Sequence, residues 1–147
     1  MKITNIQILE ILNFLQKFEE KTYPQKISYG ILKNLQILSK EQEIYNKAMQ
    51  KILKAYSDKT EKDENGSEKT ELNGLPVIQE EFREEFYQEV NDLLLMEVEI
   101  TPFYVHEEIF DYENPNGRYD TISPKDMLML ISILCAPEDE GKEDIIE

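Results

Sequence analysis

One segment, "PQKISYGILKNLQILSKEQEIYNKAMQKILKAYS" (Pro24 to Ser57), constrains the fold of this chain more than any other. Ile31, Leu35, Leu38, Gln42, Tyr45, Met49, Ile52 and Tyr56 succeed one another in alternating steps of four and three. That spacing lays them on one stripe of a helix over about three and a half heptads. As a single helix the segment spans roughly 50 Å, at 1.5 Å per residue. Two helices remain open, because Ser39 followed by Gln42 has the form of a fresh capping box. Gln42, polar within the stripe, either fixes its register or marks the break.

A stripe of this kind needs a partner, and the chain supplies one just upstream. Thr4 and Gln7 form a capping box, and Ile8, Ile11, Leu12, Leu15 and Phe18 recur at helical spacing up to about Glu20. Tyr23 precedes Pro24, which pushes it out of helical space and ends the run. The expectation is a helical hairpin within one chain, and a monomer. A coiled-coil-like dimer through the same stripe is the alternative.

Further along, Phe82, Phe86, Val90, Leu93 and Leu94 predict a helix from about Gln79 to Leu95. Then the period changes to two. Met96, Val98 and Ile100 alternate with Glu97, Glu99 and Thr101, as in a half-buried strand. Ser123, Pro124 and Asp126 open a last helix, "DMLMLISILCA", whose apolar composition predicts burial; Pro137 stops it. The linker 57–76 is polar and contains two Asn-Gly pairs, which predicts a mobile polar loop or a hairpin. No internal repeat is evident. The fold class is therefore α+β, mainly helical: an N-terminal helical hairpin with a long second helix (or two helices), a further helix, a short antiparallel β element and a buried C-terminal helix. Residues 1–137 are expected to form a single globular domain, followed by an acidic tail at 138–147.

Chemistry is conspicuous by the motifs that are missing. His106 is the single histidine, and "HEEIF" lacks the second ligand of a zinc helix. Cys135 lies on the most apolar segment, where a thiol acts as a small hydrophobe, with no histidine nearby in sequence to activate it. Placing Gly66 at the invariant glycine of a calcium loop puts Glu61, Asp63 and Asn65 at ligand positions. Position twelve is then Leu72, where a bidentate Glu is required. No catalytic residue, metal ligand or cofactor site is expected, and the protein reads as a non-enzyme. The lone cysteine excludes an internal disulfide. The N-terminus lacks a signal peptide's continuous apolar core, and no segment reaches the roughly 18 apolar residues of a membrane span. The expected location is the cytoplasm of a host cell, with no membrane partner.

Charge is the feature left to explain. Residues 1–60 carry 10 lysines against 6 acids, a net of +4, whereas residues 61–147 carry 6 bases against 25 acids, a net of −19. The densest stretch holds Glu80, Glu81, Glu84, Glu85, Glu89, Asp92 and Glu97, with Arg83 as its one base. Glu81, Glu85, Glu89 and Asp92 fall on one helical face. Like charges four residues apart cost about a few tenths of a kcal/mol per pair. An outer face kept acidic without lysine partners therefore points to a use. The seven carboxylates come about every 3.6 Å if carried on a helix, half the density of duplex DNA, at about one charge per 1.7 Å. Glu99, Glu107 and Glu108 extend the set. The candidate partner-binding residues are these ten acids. Phosphates would be repelled, so direct nucleic-acid binding is not expected.

"ITNIQILEILNFL", "YPQKISYGILKNL" and "YSDKTEKDENG" resemble a family of short uncharacterised proteins from phages and prophages of low-GC Gram-positive bacteria, over about the first two-thirds of the chain. The resemblance implies a phage accessory context and carries no active-site residues. Two functions follow as expectations. One is an anti-defence inhibitor, a DNA mimic whose acidic surface occupies a basic, nucleic-acid-handling host protein such as a CRISPR nuclease. The alternative is a phage morphogenesis protein or chaperone acting through its helical seam.

Overall fold

The computed structural model describes residues 1–137, so the expected acidic tail at 138–147 lies outside the described residues. The elements run β1 (Lys2–Thr4), α1 (Asn5–Gln16), α2 (Gln25–Ala55), α3 (Glu80–Leu94), β2 (Glu97–Glu99), a 3₁₀ turn at Glu107–Phe110, and α4 (Pro124–Leu134). This is the mainly helical α+β fold expected from the sequence.

α1 starts at the capping box: Gln7 N–H donates to Thr4 Oγ1 and Thr4 N–H donates to Gln7 Oε1 at 2.9 Å. Its regular part ends at Gln16, earlier than the apolar spacing predicts, because the next residues tighten into three-residue turns such as Phe18 N–H to Leu15 O. Pro24 then opens α2, which is one unbroken helix of 31 residues, about 46 Å long. Ser39 does not restart it. Ile27, Ile31, Leu35 and Leu38 join Ile8, Leu12, Leu15 and Phe18 of the α1 arm in a large core, closed by Leu130 and Leu134 of α4. α4 is capped by Ser123, whose Oγ accepts from Asp126 N–H at 3.2 Å. Against the expectation of a buried helix, it buries only Leu130 and Leu134 and exposes Leu128 and Met129, because a single face of α4 meets the core.

The later part of the stripe meets different partners. Met49, Ile52 and Tyr56 pack with Phe82, Phe86 and Val90 of α3 and with Ile78 in a second, smaller core. Helix α3 returns along α2 and is tied to the start of α1: Asn5 Nδ2–H donates to Leu93 O at 2.8 Å, and Asn5 N–H to Met96 O at 3.1 Å. The short sheet completes this tie. β1 pairs antiparallel with β2, setting Lys2 opposite Glu99, Ile3 opposite Val98 and Thr4 opposite Glu97. Sequence reading finds β2 and misses β1, since three residues show no alternation.

Between α2 and α3 the polar linker folds into two successive tight turns. Asp63 N–H bonds to Ser67 O at 2.7 Å, and eight residues later Glu71 N–H bonds to Leu75 O at 2.7 Å. Each turn ends on an Asn-Gly pair whose glycine takes a left-handed φ, 79° at Gly66 and 84° at Gly74. Three segments then close on one another: Glu61 N–H donates to Val77 O, Val77 N–H to Lys69 O, and Lys69 N–H to Glu61 O. This eight-residue structural repeat goes unnoticed in the sequence because only the Asn-Gly pairs recur clearly. Asp63 organises the first turn: its Oδ1 accepts from Asn65 N–H and Ser67 N–H, both at 2.9 Å.

Candidate functional site

The acidic helix is held rigidly from behind. Phe86 is fully buried, Val90 and Leu93 are nearly so, and Tyr56 and Tyr87 meet the Phe86 ring edge-on at 5.2 Å and 5.3 Å. This anchoring leaves Glu80, Glu81, Glu84, Glu85, Glu89 and Asp92 exposed on the remaining faces of α3. The single base in the stretch is drawn away from them. Arg83 donates through Nε and Nη2 to Ile78 O, at 3.2 Å and 3.0 Å, and its Nη2 lies 3.6 Å from Glu61 of the hairpins. The stripe therefore has no cation of its own helix to neutralise it.

Two of the carboxylates are also oriented. The buried Tyr56 of α2 lies beside Glu89 and Glu85. Hydrogen bonding to Glu89, then burial, then the Glu89 and Glu85 charges push its phenol well above the ordinary tyrosine range. The phenol therefore keeps its proton and lies against the Glu89 and Glu85 carboxylates. Further along, Gln88 Nε2–H donates to Asp92 Oδ1 at 2.8 Å. The middle and the end of the stripe are thus positioned by neighbours.

Four of the ten predicted acids lie outside α3. Glu97 and Glu99 are exposed on β2, whose Val98 packs against the large core, and Glu99 is partly neutralised by the Met1 amine at 3.0 Å. Glu107 and Glu108 sit on the 3₁₀ turn, which packs on α2 within the large core, while α3 belongs to the small one. They line a cleft of about 470 Å³ with His106, Asp111, Met127 and Cys135. Sequence spacing gives no hint that Cys135 and His106 share this cleft. They are brought there because Val105 N–H bonds to Leu134 O at 2.8 Å, joining the segment before the turn to the end of α4. Among the described residues no group of three His, Cys, Asp or Glu side chains is placed to hold a metal ion. None of the helices among those residues is long and apolar enough to cross a membrane.

Comparison with protein-family models, curated proteins and solved structures gives no match. The reading of the site therefore rests on the geometry alone.

Two features escape a sequence reading that sums charges by halves. Lys26, Lys33, Lys40, Lys47 and Lys54 are each seven residues apart on α2, opposite the apolar stripe. Their spacing is legible once lysines are read by helical position. The second is a groove of about 400 Å³ beside the first two lysines, lined by Tyr29, Phe103, Val105 and Ile109. It is built by two residues of α2. Gly30 lets the backbone approach, since a Cβ there would lie 3.1 Å from Val105 Cγ1. Asn34, buried, grips Phe103 at both ends of its backbone: Nδ2–H donates to Phe103 O at 2.8 Å and Oδ1 accepts from Phe103 N–H at 3.1 Å. The same Nδ2 group also donates to Gly30 O at 2.8 Å.

Proposed function

We propose that the protein is a non-enzymatic phage accessory protein. It binds and inhibits a basic, nucleic-acid-handling host defence protein, for example a CRISPR nuclease, through the acidic face of α3 and β2. The observation that carries this reading is the fate of Arg83. The one base that would neutralise the stripe is spent on Ile78 O and Glu61, so the carboxylates face outward uncompensated on a helix whose back is locked by Phe86. A preformed row of charge costs little to order on binding, and it speeds encounter with an oppositely charged groove. The inhibitor works in the cytoplasm of the host, as a monomer and without a cofactor. The morphogenesis or chaperone reading has less to work with, because the seam it needs is covered within the chain by α1, α3 and the hairpins.

The test is competition. A labelled DNA duplex is bound to a purified RNA-guided nuclease, and its displacement by the protein is followed at low and at physiological salt. The expected result is displacement that weakens with salt. It should fall at least tenfold at low salt in the variant Glu81→Gln, Glu85→Gln, Glu89→Gln, Asp92→Asn, within the range that electrostatic steering supplies. Equal displacement by the neutral variant and the wild type would sink the acidic-face reading.

A further inference from the structure

The opposite side of α2 carries the reverse charge. Helix α2 contains six lysines and two glutamates. Five of the lysines, from Lys26 to Lys54, sit at one repeating outer position over about 42 Å. Lys26, Lys40, Lys47 and Lys54 are exposed and Lys33 is half-buried. Among the described residues the ion pairs are Met1–Glu99, Lys17–Asp126, Lys69–Glu61 and Arg83–Glu61, so no lysine of α2 takes part in one. At its N-terminal end the row runs into the aromatic groove. Tyr29 is 52% exposed, meets Phe103 edge-on at 5.5 Å, and has Lys33 Nζ 5.5 Å from its ring centre.

We propose that this outer face of α2 is a docking surface for single-stranded nucleic acid. The lysines follow the phosphates, and a base lodges in the groove against Tyr29. Three observations favour that occupant. A row of cations 42 Å long asks for an extended polyanion. Phosphates come more closely along a strand than these lysines do, so each lysine finds one without a matched period, whereas an acidic helix would have to repeat every seven residues. The groove at the end of the row is aromatic and aliphatic, which suits a planar base more than a bare carboxylate chain. The net charge of −15 does not forbid it. α3 packs on the other side of α2, and a helix about 10 Å across separates the two charged faces by more than the screening length of about 8 Å at physiological salt. This surface is independent of the acidic-face reading, because the substitutions that test one leave the other intact.

The experiment is fluorescence anisotropy of a labelled 20-nucleotide oligo(dT) with the full chain, between about 0.05 and 0.2 M salt. Wild type should bind with a log–log salt slope no steeper than about −3.5, five phosphates at about 0.7 each. The variant K26Q/K33Q/K40Q/K47Q/K54Q should lose at least tenfold in affinity and most of the slope, with unchanged circular dichroism. Tyr29→Ala should weaken binding at least fivefold with the slope unchanged, and Tyr29→Phe should restore it. The proposal is overturned by no binding at 0.05 M salt, or by a five-fold variant that binds like wild type. It is also overturned if a duplex of equal length competes better than the single strand. Displacement of the strand by poly-glutamate at equal charge, together with a silent Tyr29→Ala, would assign the row to an acidic protein and equally end it.

Discussion

One unbroken helix, with one apolar stripe interrupted by Gln42, supports two unequal cores. Every buried residue of α2 lies between Ile27 and Leu38. That half is wrapped by α1, α4, the 3₁₀ turn and the segment held by Asn34. The half after Leu38 has only α3 and the hairpins, so Met49, Ile52 and Leu53 stay half-buried until Tyr56 closes the end. Between the halves Ile44 is 62% exposed and Gln42 and Tyr45 are partly covered. Periodicity therefore fixes which face is apolar, while the number of elements that reach that face fixes how much stability it yields. The α3 part of the acidic face rests on the smaller core, and β2 on the larger.

The largest effect expected is at Phe86. Phe86→Ala should cost about 3–5 kcal/mol, since the ring is fully buried. Native-state hydrogen exchange should place the loss first in α3 and the hairpins. Leu12→Ala in the large core should cost about 2–5 kcal/mol and raise exchange everywhere. Indistinguishable exchange patterns from the two variants would mean that the cores open as one unit.

Next comes Asn34, the polar residue at the heart of the large core. Asn34→Ala leaves Phe103 N–H and O without partners and should cost about 1–3 kcal/mol. Chemical denaturation measures this. A loss within error would show that water replaces the amide.

A pair of identical substitutions then separates the cores by sign. The Tyr23 hydroxyl, in the large core, is buried without a hydrogen-bond partner, and burial followed by the charge of Asp120 pushes its pKa up to about 12. Tyr23→Phe should leave stability equal or higher at pH 7. Tyr56→Phe should lower it, because the neutral phenol is lost from beside the Glu89 and Glu85 carboxylates. Both phenols stay protonated in the fold and ionise near 10 when unfolded, so the folded state binds more protons above pH 10. Stability should fall as pH rises from about 10 to 12, and Tyr23→Phe should make that fall shallower. Denaturation midpoints at pH 7, 10 and 11.5 decide it; a fall as steep in the variant as in the wild type would remove Tyr23 from the account.

The smallest effect belongs to the stripe. Neutralising Glu81, Glu85, Glu89 and Asp92 should raise stability slightly, by about a few tenths of a kcal/mol per relieved i,i+4 pair, read as a small rise in melting temperature. A clear loss of stability would mean that these acids hold the fold rather than face outward.

Much of the fold was legible because helices declare themselves by period and cap. Thr4 with Gln7, Ser123 with Asp126 and the spacing of Phe82, Phe86 and Val90 all fall where the chain folds accordingly. What was not legible depends on pairings distant in sequence. Lys2–Thr4 is a strand only because Glu97–Glu99 lies beside it. Asn34 looks like an ordinary polar helix residue until Phe103 arrives. The ten acids look like one set, yet Glu107 and Glu108 lie on the 3₁₀ turn, where they line a cleft with His106 and Cys135. The lysine row was readable and was lost by counting charge per half.

The ring of bonds joining Glu61, Lys69 and Val77 has a practical reading. Each segment gives its donor to the next, so at Glu61, Lys69 and Val77 the backbone N–H and C=O groups are already paired within the double hairpin. Its register is set inside the ring, while the Asn65-Gly66 and Asn73-Gly74 tips are exposed. Those tips are the places to splice in a peptide tag or a fluorophore site, where a reporter can be carried with neither charged face of the molecule disturbed.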